Sequence, residues 1–357
     1  MLVPTEPPPG GGAGTEAEQG EPVTSSPPPQ ESSEADGGGN GDRRPGGSTA
    51  SAPALRQLEV AVFTGPESAF FATSSLIIGA RDAILVDAQL TRSAGRELAE
   101  WIAGKGRNLV AIVITHPHPD HYFGVEEVLR LFPQAHLLAA PPVVEAIIRT
   151  APDKVLQWRP VFGDDIPDAP VVPRALLPQP LMIDRQLIRV LYLGQGDCAD
   201  CTVVHIPSLR TVIAGDCAYN GTHVWTAETT PAERAVWAEN LGRIADLGVE
   251  RVIAGHRAPE QGDDAARVLT FTDDYLKHFD ELLAQHPGDA EGLVAAMNER
   301  YAELTLPAIL EQGAAANTAR PPAGEAAAPE DGEAPEEAEE AEEPEESADS
   351  DQADERE

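Results

Sequence analysis

The sequence predicts a four-layered α/β sandwich, an αββα arrangement with helices outside two facing sheets. Two sets of apolar, β-branched runs are each followed by segments of helical periodicity, so each sheet acquires its own covering helices. Three of those runs lead directly into residues able to bind metal, which puts the chemistry at strand ends. Both ends of the chain lack the large apolar residues a core requires, which leaves a central stretch of one-domain size.

Residues 1–52 are dominated by Pro, Gly, Ser and Glu, and residues 313–357 by Ala, Pro, Glu and Asp. Neither stretch can bury enough apolar surface to offset ordering entropy, so both are predicted to be disordered tails around a domain at 53–312. The formal net charge is -35, and more than half of it lies in those tails. The acidic C-terminal tail is expected to solvate the protein rather than bind a partner. What remains is still acidic, which disfavours nucleic-acid phosphates and anionic membranes. No apolar run approaches the ~18 residues of a membrane span. Met1-Leu2-Val3-Pro4 leads into proline and glycine rather than the apolar stretch of a signal peptide, so a cytoplasmic location is expected. Three cysteines, an odd number, fit a reducing compartment.

Strands are predicted at 58–63, 72–78 and 83–86, the last ending in Asp87. Glu97, Leu98, Trp101 and Ile102 have helical spacing within 92–103, and Gly104 and Gly106 stop that helix. A buried strand at 109–114 follows, then a helix at 122–132 with Val125, Val128, Leu129 and Phe132 on one face. A short strand at 135–139 and a helix at 142–150 complete the first half. Residues 151–180 are rich in proline and without periodicity, so an irregular segment bordering a pocket is expected. Strands at 187–193, 202–206 and 211–214 form the second set, the last two joined as a hairpin by Pro207-Ser208-Leu209-Arg210. A helix at 231–247, a strand at 251–254 and helices at 263–285, 290–302 and 305–311 close the domain.

Three imidazoles and a carboxylate fall within Thr115-His116-Pro117-His118-Pro119-Asp120-His121, directly after the strand at 109–114. The two prolines keep this loop out of helix. Residues two apart in an extended segment face one side, so His116 and His118 can reach one metal, leaving Asp120 and His121 for a second. Two more strand ends present a metal-competent side chain after a glycine: Gly215-Asp216 and Gly255-His256. Histidines for each of two ions and a carboxylate between them make the ligand repertoire of a dinuclear site.

With those residues in place, the chain resembles the metallo-β-lactamase superfamily over roughly residues 58–285. The histidine loop matches that family's His-x-His-x-Asp-His signature, and Asp216 and His256 follow in the expected order. The resemblance implies an αββα sandwich with two divalent ions, zinc by default, at the edge between the sheets. It assigns His116 and His118 to the first ion, Asp120, His121 and His256 to the second, and Asp216 as the bridge. The family's remaining histidine is missing from Leu193-Gly194-Gln195-Gly196-Asp197-Cys198-Ala199-Asp200-Cys201. Either Gln195 or Asp197 takes its place. Spacing to the following strand favours Asp197, because the family's histidine lies about six residues before those apolar positions. A carboxylate there adds negative charge at the first metal, weakens its Lewis acidity and moves preference toward manganese or iron.

Other candidates carry less. His223 is as well explained as a substrate contact as by an ordinary loop position. His136, His205 and His278 read as structural. Cys198 and Cys201 form a Cys-x-x-Cys without the context of a redox or zinc motif, and Cys217 reads as a small buried residue. Trp158, Phe162, Trp225 and Trp237 could line a pocket or fill a core. The function implied is a hydrolase acting on a small-molecule substrate with an ester-like bond: a thioester, lactone or β-lactam. A water between two cations loses its proton readily there, with Asp120 orienting it. An iron-dependent oxygenase or oxidoreductase, and a catalytically degraded binding module, are the alternatives; the acidic charge disfavours a nuclease.

Overall fold

A computed structural model describes residues 57–319. The two predicted tails otherwise lie outside the described residues. The first sheet has the order β1-β2-β3-β4-β5-β6. Its strands are β1 (Glu59–Thr64), β2 (Thr73–Ile78), β3 (Asp82–Val86), β4 (Asn108–Ile114), β5 (His136–Ala139) and β6 (Arg174–Ala175). β1, β2 and β3 pair antiparallel, and β3 through β6 pair parallel. The second sheet has the order β11-β10-β9-β8-β7. It is built from β7 (Leu181–Ile183), β8 (Gln186–Gly194), β9 (Cys201–Ile206), β10 (Thr211–Asn220) and β11 (Arg251–Arg257). All its pairings are antiparallel except the parallel β10–β11 pair.

Side-chain alternation sorts the strands into layers. Ile77, Ile84 and Val113 of the first sheet meet Ile188, Val204, Ile213 and Ile253 of the second in a core between the sheets. The neighbours Leu76, Leu85, Ile112 and Ile114 point the other way, onto α1 (Arg92–Ala103), α2 (Val125–Leu131) and α3 (Pro141–Phe162). Val203, Val212 and Val252 likewise face α4 (Pro231–Ala245), α5 (Ala265–Gln285), α6 (Ala290–Arg300) and α7 (Pro307–Thr318). Three cores separate four layers, the αββα sandwich that the period of two in the strands requires.

The structure departs from the sequence expectation in four places that shape the site. The first is β11, which does not end at 254 but runs through Gly255 and His256 to Arg257. Helix α3 continues to Phe162 through Pro152 and Pro160, where the prolines predict irregular chain. Each internal proline costs ~3 kcal/mol of helix stability. Val143, Ala146, Ile147, Ala151 and Val155 form one buried face across Pro152, and that burial outweighs the cost. Strand β10 does not end at 214 but runs on to Asn220 through a register shift at Gly215, whose φ is +50°. Helix α7 extends past the boundary expected at 312. Gly313, Ala314 and Asn317 are buried in it, and Asn317 Nδ2 donates to the Thr226 carbonyl at 2.9 Å.

Candidate metal centre

Four elements deliver their polar residues to one edge of the sandwich. Leaving β4, the chain bends at His116 and Pro117, His118 is extended, and a single 3-10 turn over Pro119–His121 swings Asp120 and His121 around. The connection between β8 and β9 brings Asp197, the bulged part of β10 brings Asp216, and β11 brings His256. His116, His121, Asp197 and Asp216 are at most 2% exposed. Close packing leaves no room for a side chain at Gly255: a Cβ would stand 1.8 Å from Asp216 Oδ1.

Beside a group of Asp197, Cys198 and Cys201, two ligand sets built on histidines emerge, each with its ligand atoms within 4.8 Å of one another: His116, His118, Asp197 and Asp216, and then Asp120, His121 and His256. Asp216 touches both. Its Oδ2 lies 3.7 Å from His116 Nε2 and 3.0 Å from His256 Nε2, and its Oδ1 lies 3.2 Å from His121 Nε2. Asp120 Oδ2 is 3.2 Å from His256 Nε2 and 3.7 Å from His121 Nε2. Of Gln195 and Asp197, it is Asp197 that lies in the cluster, with Oδ2 2.9 Å from His118 Nδ1. The Gln195 amide instead donates to the Gly196 carbonyl at 2.9 Å and does not join the cluster.

Outer hydrogen bonds fix which nitrogen each histidine turns inward. Asp87, held at φ 62°, accepts from the Thr115 N–H at 2.9 Å and, through Oδ2, from Thr115 Oγ1 at 2.9 Å and His121 Nδ1 at 3.0 Å. Thr115 Oγ1 in turn accepts from His116 Nδ1 at 2.9 Å, and the Phe70 carbonyl accepts from His256 Nδ1 at 2.6 Å. Each of these three rings therefore turns Nε2 toward the centre, with its other nitrogen occupied; that of His256 meets Asp216 Oδ2 at 3.0 Å. His116 Nε2, His121 Nε2 and Asp216 Oδ1 are buried with no hydrogen-bond partner among the described residues. Buried polar atoms seldom go unpaired, so this converging set fits divalent metal ions.

The electrostatics of the cluster agree. Burial, reinforced by His121, lowers the His116 pKa, and burial pushes the Asp197 carboxyl up to about 6. For His256 burial works downward, but Asp216 and Asp120 outweigh it and raise the imidazole to about 10. Asp216 is depressed despite burial, because His256, His121 and His116 surround it. Cations at the centre would replace protons that the carboxylates otherwise draw onto the histidines.

A pocket opens over the cluster, reaching Asp120, Asp197, Asp216 and His256 at its floor. His223 borders it, buried, with Nδ1 2.9 Å from the Tyr275 hydroxyl. Trp158 and Trp225 line it too, whereas Trp237 is buried in the helical core and donates to the Cys217 carbonyl at 2.8 Å, and Phe162 packs on Trp158. Cys198 and Cys201 are buried beside Asp197 with their sulfurs 3.6 Å apart.

Sequence reasoning missed Tyr219. Its hydroxyl donates to Asp216 Oδ2 at 2.9 Å and lies 3.3 Å from Asp197 Oδ2, and its ring stacks on His256. The one local signal is its position three residues beyond Asp216, hidden by the expectation that the strand ends at 214. Asp87 is visible as a strand-terminal aspartate, but its contacts are long-range. Lys154 and Gln157 lie in the segment whose prolines predict irregular chain.

The sequence profile of the metallo-beta-lactamase superfamily matches residues 68–256. No curated protein sequence matches the chain. Among solved structures, a metallo-beta-lactamase family protein from Thermus thermophilus superimposes with a TM-score of 0.52 at 21% identity, over 72% of this chain and 91% of that one. A beta-lactamase domain protein from Burkholderia ambifaria gives 0.51 at 19% identity, over 75% and 88%. At these identities the likeness is one of fold.

Proposed function

Because the chain belongs to the metallo-beta-lactamase superfamily, we propose that it is a dinuclear metal-dependent hydrolase of a small ester-like bond: a thioester, lactone or β-lactam. The observation that carries this reading is Asp216, one carboxylate within 3.7 Å of histidines from both ligand sets. In the proposed assignment His116, His118 and Asp197 hold the first ion, Asp120, His121 and His256 the second, and Asp216 bridges. Two divalent ions there would supply Lewis acidity and lower the pKa of a water molecule.

The chain's own groups do the rest. Asp120, part-exposed at the cavity floor, is placed to orient the attacking water and accept its proton. The Tyr219 hydroxyl, kept protonated by burial and by the carboxylates around it, donates to Asp216 Oδ2 and so is placed to hold the bridging carboxylate in position. Aromatic and aliphatic walls limit water around a bound small molecule. Zinc is the proposed metal. The carboxylate at 197 supports an iron-dependent oxidoreductase as the second reading, since hard oxygen ligands suit iron and manganese.

Metal analysis of protein purified without added metal, paired with a turnover screen of thioesters, lactones, β-lactams and phosphodiesters, tests the reading. Two zinc ions per chain with hydrolysis of one of the first three classes is the expected result. A single iron with no hydrolysis would overturn it in favour of redox chemistry. Failure to bind any metal would point to a binding module.

A further inference from the structure

The walls of the cavity above the metal centre are apolar, with Phe70, Leu90, Trp158, Trp225, Leu306 and Ile309 facing an acidic floor. Among the residues lining it, Lys154 is the one lysine or arginine. Its ammonium is already engaged: Nζ lies 2.8 Å from Glu228 Oε1. The other oxygen of Glu228 lies 3.3 Å from His118 Nε2, at ion-pair distance but without hydrogen-bond geometry. His223 offers no cation either, because burial lowers its imidazole to about 4. The remaining polar groups on the walls, Gln157 and Gln312, are neutral amides.

With two divalent ions bound, the charge of the floor carboxylates would be offset, which leaves the walls to discriminate; there a substrate anion would meet no unpaired cation and would have to displace Glu228 from Lys154 or lie beside it. Like charges placed together in a partly desolvated site oppose binding strongly. A neutral acyl group would meet aromatic and aliphatic surface, with amides available for one or two hydrogen bonds. We propose that the site selects uncharged esters or lactones with an apolar acyl part, and that the Lys154–Glu228 pair sets this selection by keeping the ammonium from substrate. This rests on the hydrolase reading above. β-Lactams and peptide-derived thioesters that carry a carboxylate are thereby disfavoured. In the reaction water adds across the acyl bond: the carbonyl carbon gains the hydroxyl, its bond to the alkoxy oxygen breaks, and that oxygen takes the proton. No electron transfer is involved.

The test uses the full metal-loaded chain and two esters of equal length, para-nitrophenyl pentanoate and mono-para-nitrophenyl glutarate, which differ by a terminal methyl against a carboxylate. The wild type is expected to favour the pentanoate in kcat/KM by about tenfold or more. Glu228→Gln frees the ammonium and is expected to narrow that ratio about tenfold or reverse it, even if the absolute rate falls because Glu228 also touches His118. Lys154→Met leaves Glu228 unpaired and is expected to keep the preference for the neutral ester. Equal handling of both esters by the wild type, an unchanged ratio in Glu228→Gln, or a lost preference in Lys154→Met would each overturn the proposal. Binding of pentanamide and glutaramate, followed by the fluorescence of Trp158 and Trp225, needs no turnover. If neither ester nor any thioester, lactone or β-lactam of the screen is hydrolysed but pentanamide binds in preference to glutaramate, the hydrolase reading fails and the charge selection stands. Equal binding of the two amides would remove the charge selection itself.

Discussion

Asp197 Oδ2 faces His118 Nδ1 at 2.9 Å, so a carboxylate stands against one of the paired histidines of the first ligand set. Its charge sets the character of that site. Asp197→Asn removes the charge and a strong donor, and is expected to drop metal content from two ions toward one per chain. Asp197→His restores a neutral nitrogen ligand and should raise the preference for zinc over manganese. Competition between the two metals, read by mass spectrometry, checks both; an unchanged ratio in Asp197→His would show that residue 197 is not a ligand.

Asp87 accepts three hydrogen bonds from Thr115 and His121 while almost wholly buried. Asp87→Ala strands these donors, each at about 1–3 kcal/mol. It also leaves the His121 ring free to turn, which should weaken the second metal by about 10–100-fold. A lowered Tm together with selective loss of the second ion in a chelator titration is the expected pair of results.

Tyr219 and Asp120 divide the proposed chemistry. Tyr219→Phe keeps the ring stacked on His256 and should retain both metals, yet lower kcat by about 10-fold or more through loss of the hydrogen bond that holds Asp216. Asp120→Asn should reduce turnover as well, because the amide cannot take a proton. An Asp120→Asn protein with both metals and full turnover would falsify the role given to that carboxylate.

Helix α7 belongs to the folded unit beyond residue 312. Asn317 Oδ1 accepts from the buried Arg234 Nη1 at 3.0 Å, and Arg234 also contacts Asp280 on α5. A chain ended after Glu311 is expected to lose at least about 2 kcal/mol of stability against one ended after Ala319, since it forfeits these bonds and the apolar burial of Ala314. Thermal melts of the two truncations measure the difference.

His223 makes stability depend on pH in a defined window. Burial lowers its pKa from 6.5 to about 4. Between those values the unfolded chain binds a proton that the folded chain refuses, so this residue's contribution is present above 6.5 and is lost as pH falls toward 4. His223→Gln should flatten that part of the profile, measured as the difference in unfolding free energy between the two proteins across the window.

Most of the framework was legible in the sequence for local reasons. Helix α1 has its predicted bounds, because Thr91 caps its start and its apolar stripe is regular, and the inner strands are continuous β-branched runs. The ligand loop was legible because a buried strand leading straight into three histidines and an aspartate within seven residues concentrates metal-binding side chains at one strand end. Segments where tertiary burial overrides local propensity were not. Pro152 argues against helix locally, yet the buried face of α3 carries the chain through it and brings Lys154 and Trp158 to the cavity. Gly215 reads as a stop, yet pairing with β11 continues β10 to Asn220 and places Tyr219 against Asp216.

By itself the sequence determined the layered α/β architecture and six metal-competent side chains, since periodicity and strand-end chemistry are written within short windows. Only the tertiary structure set Asp197 rather than Gln195 beside His118, Asp87 beneath His121, and Glu228 against Lys154. The physical reason is distance along the chain. Each of these relationships joins residues from different elements, and which of two nearby side chains turns inward depends on how separate layers pack.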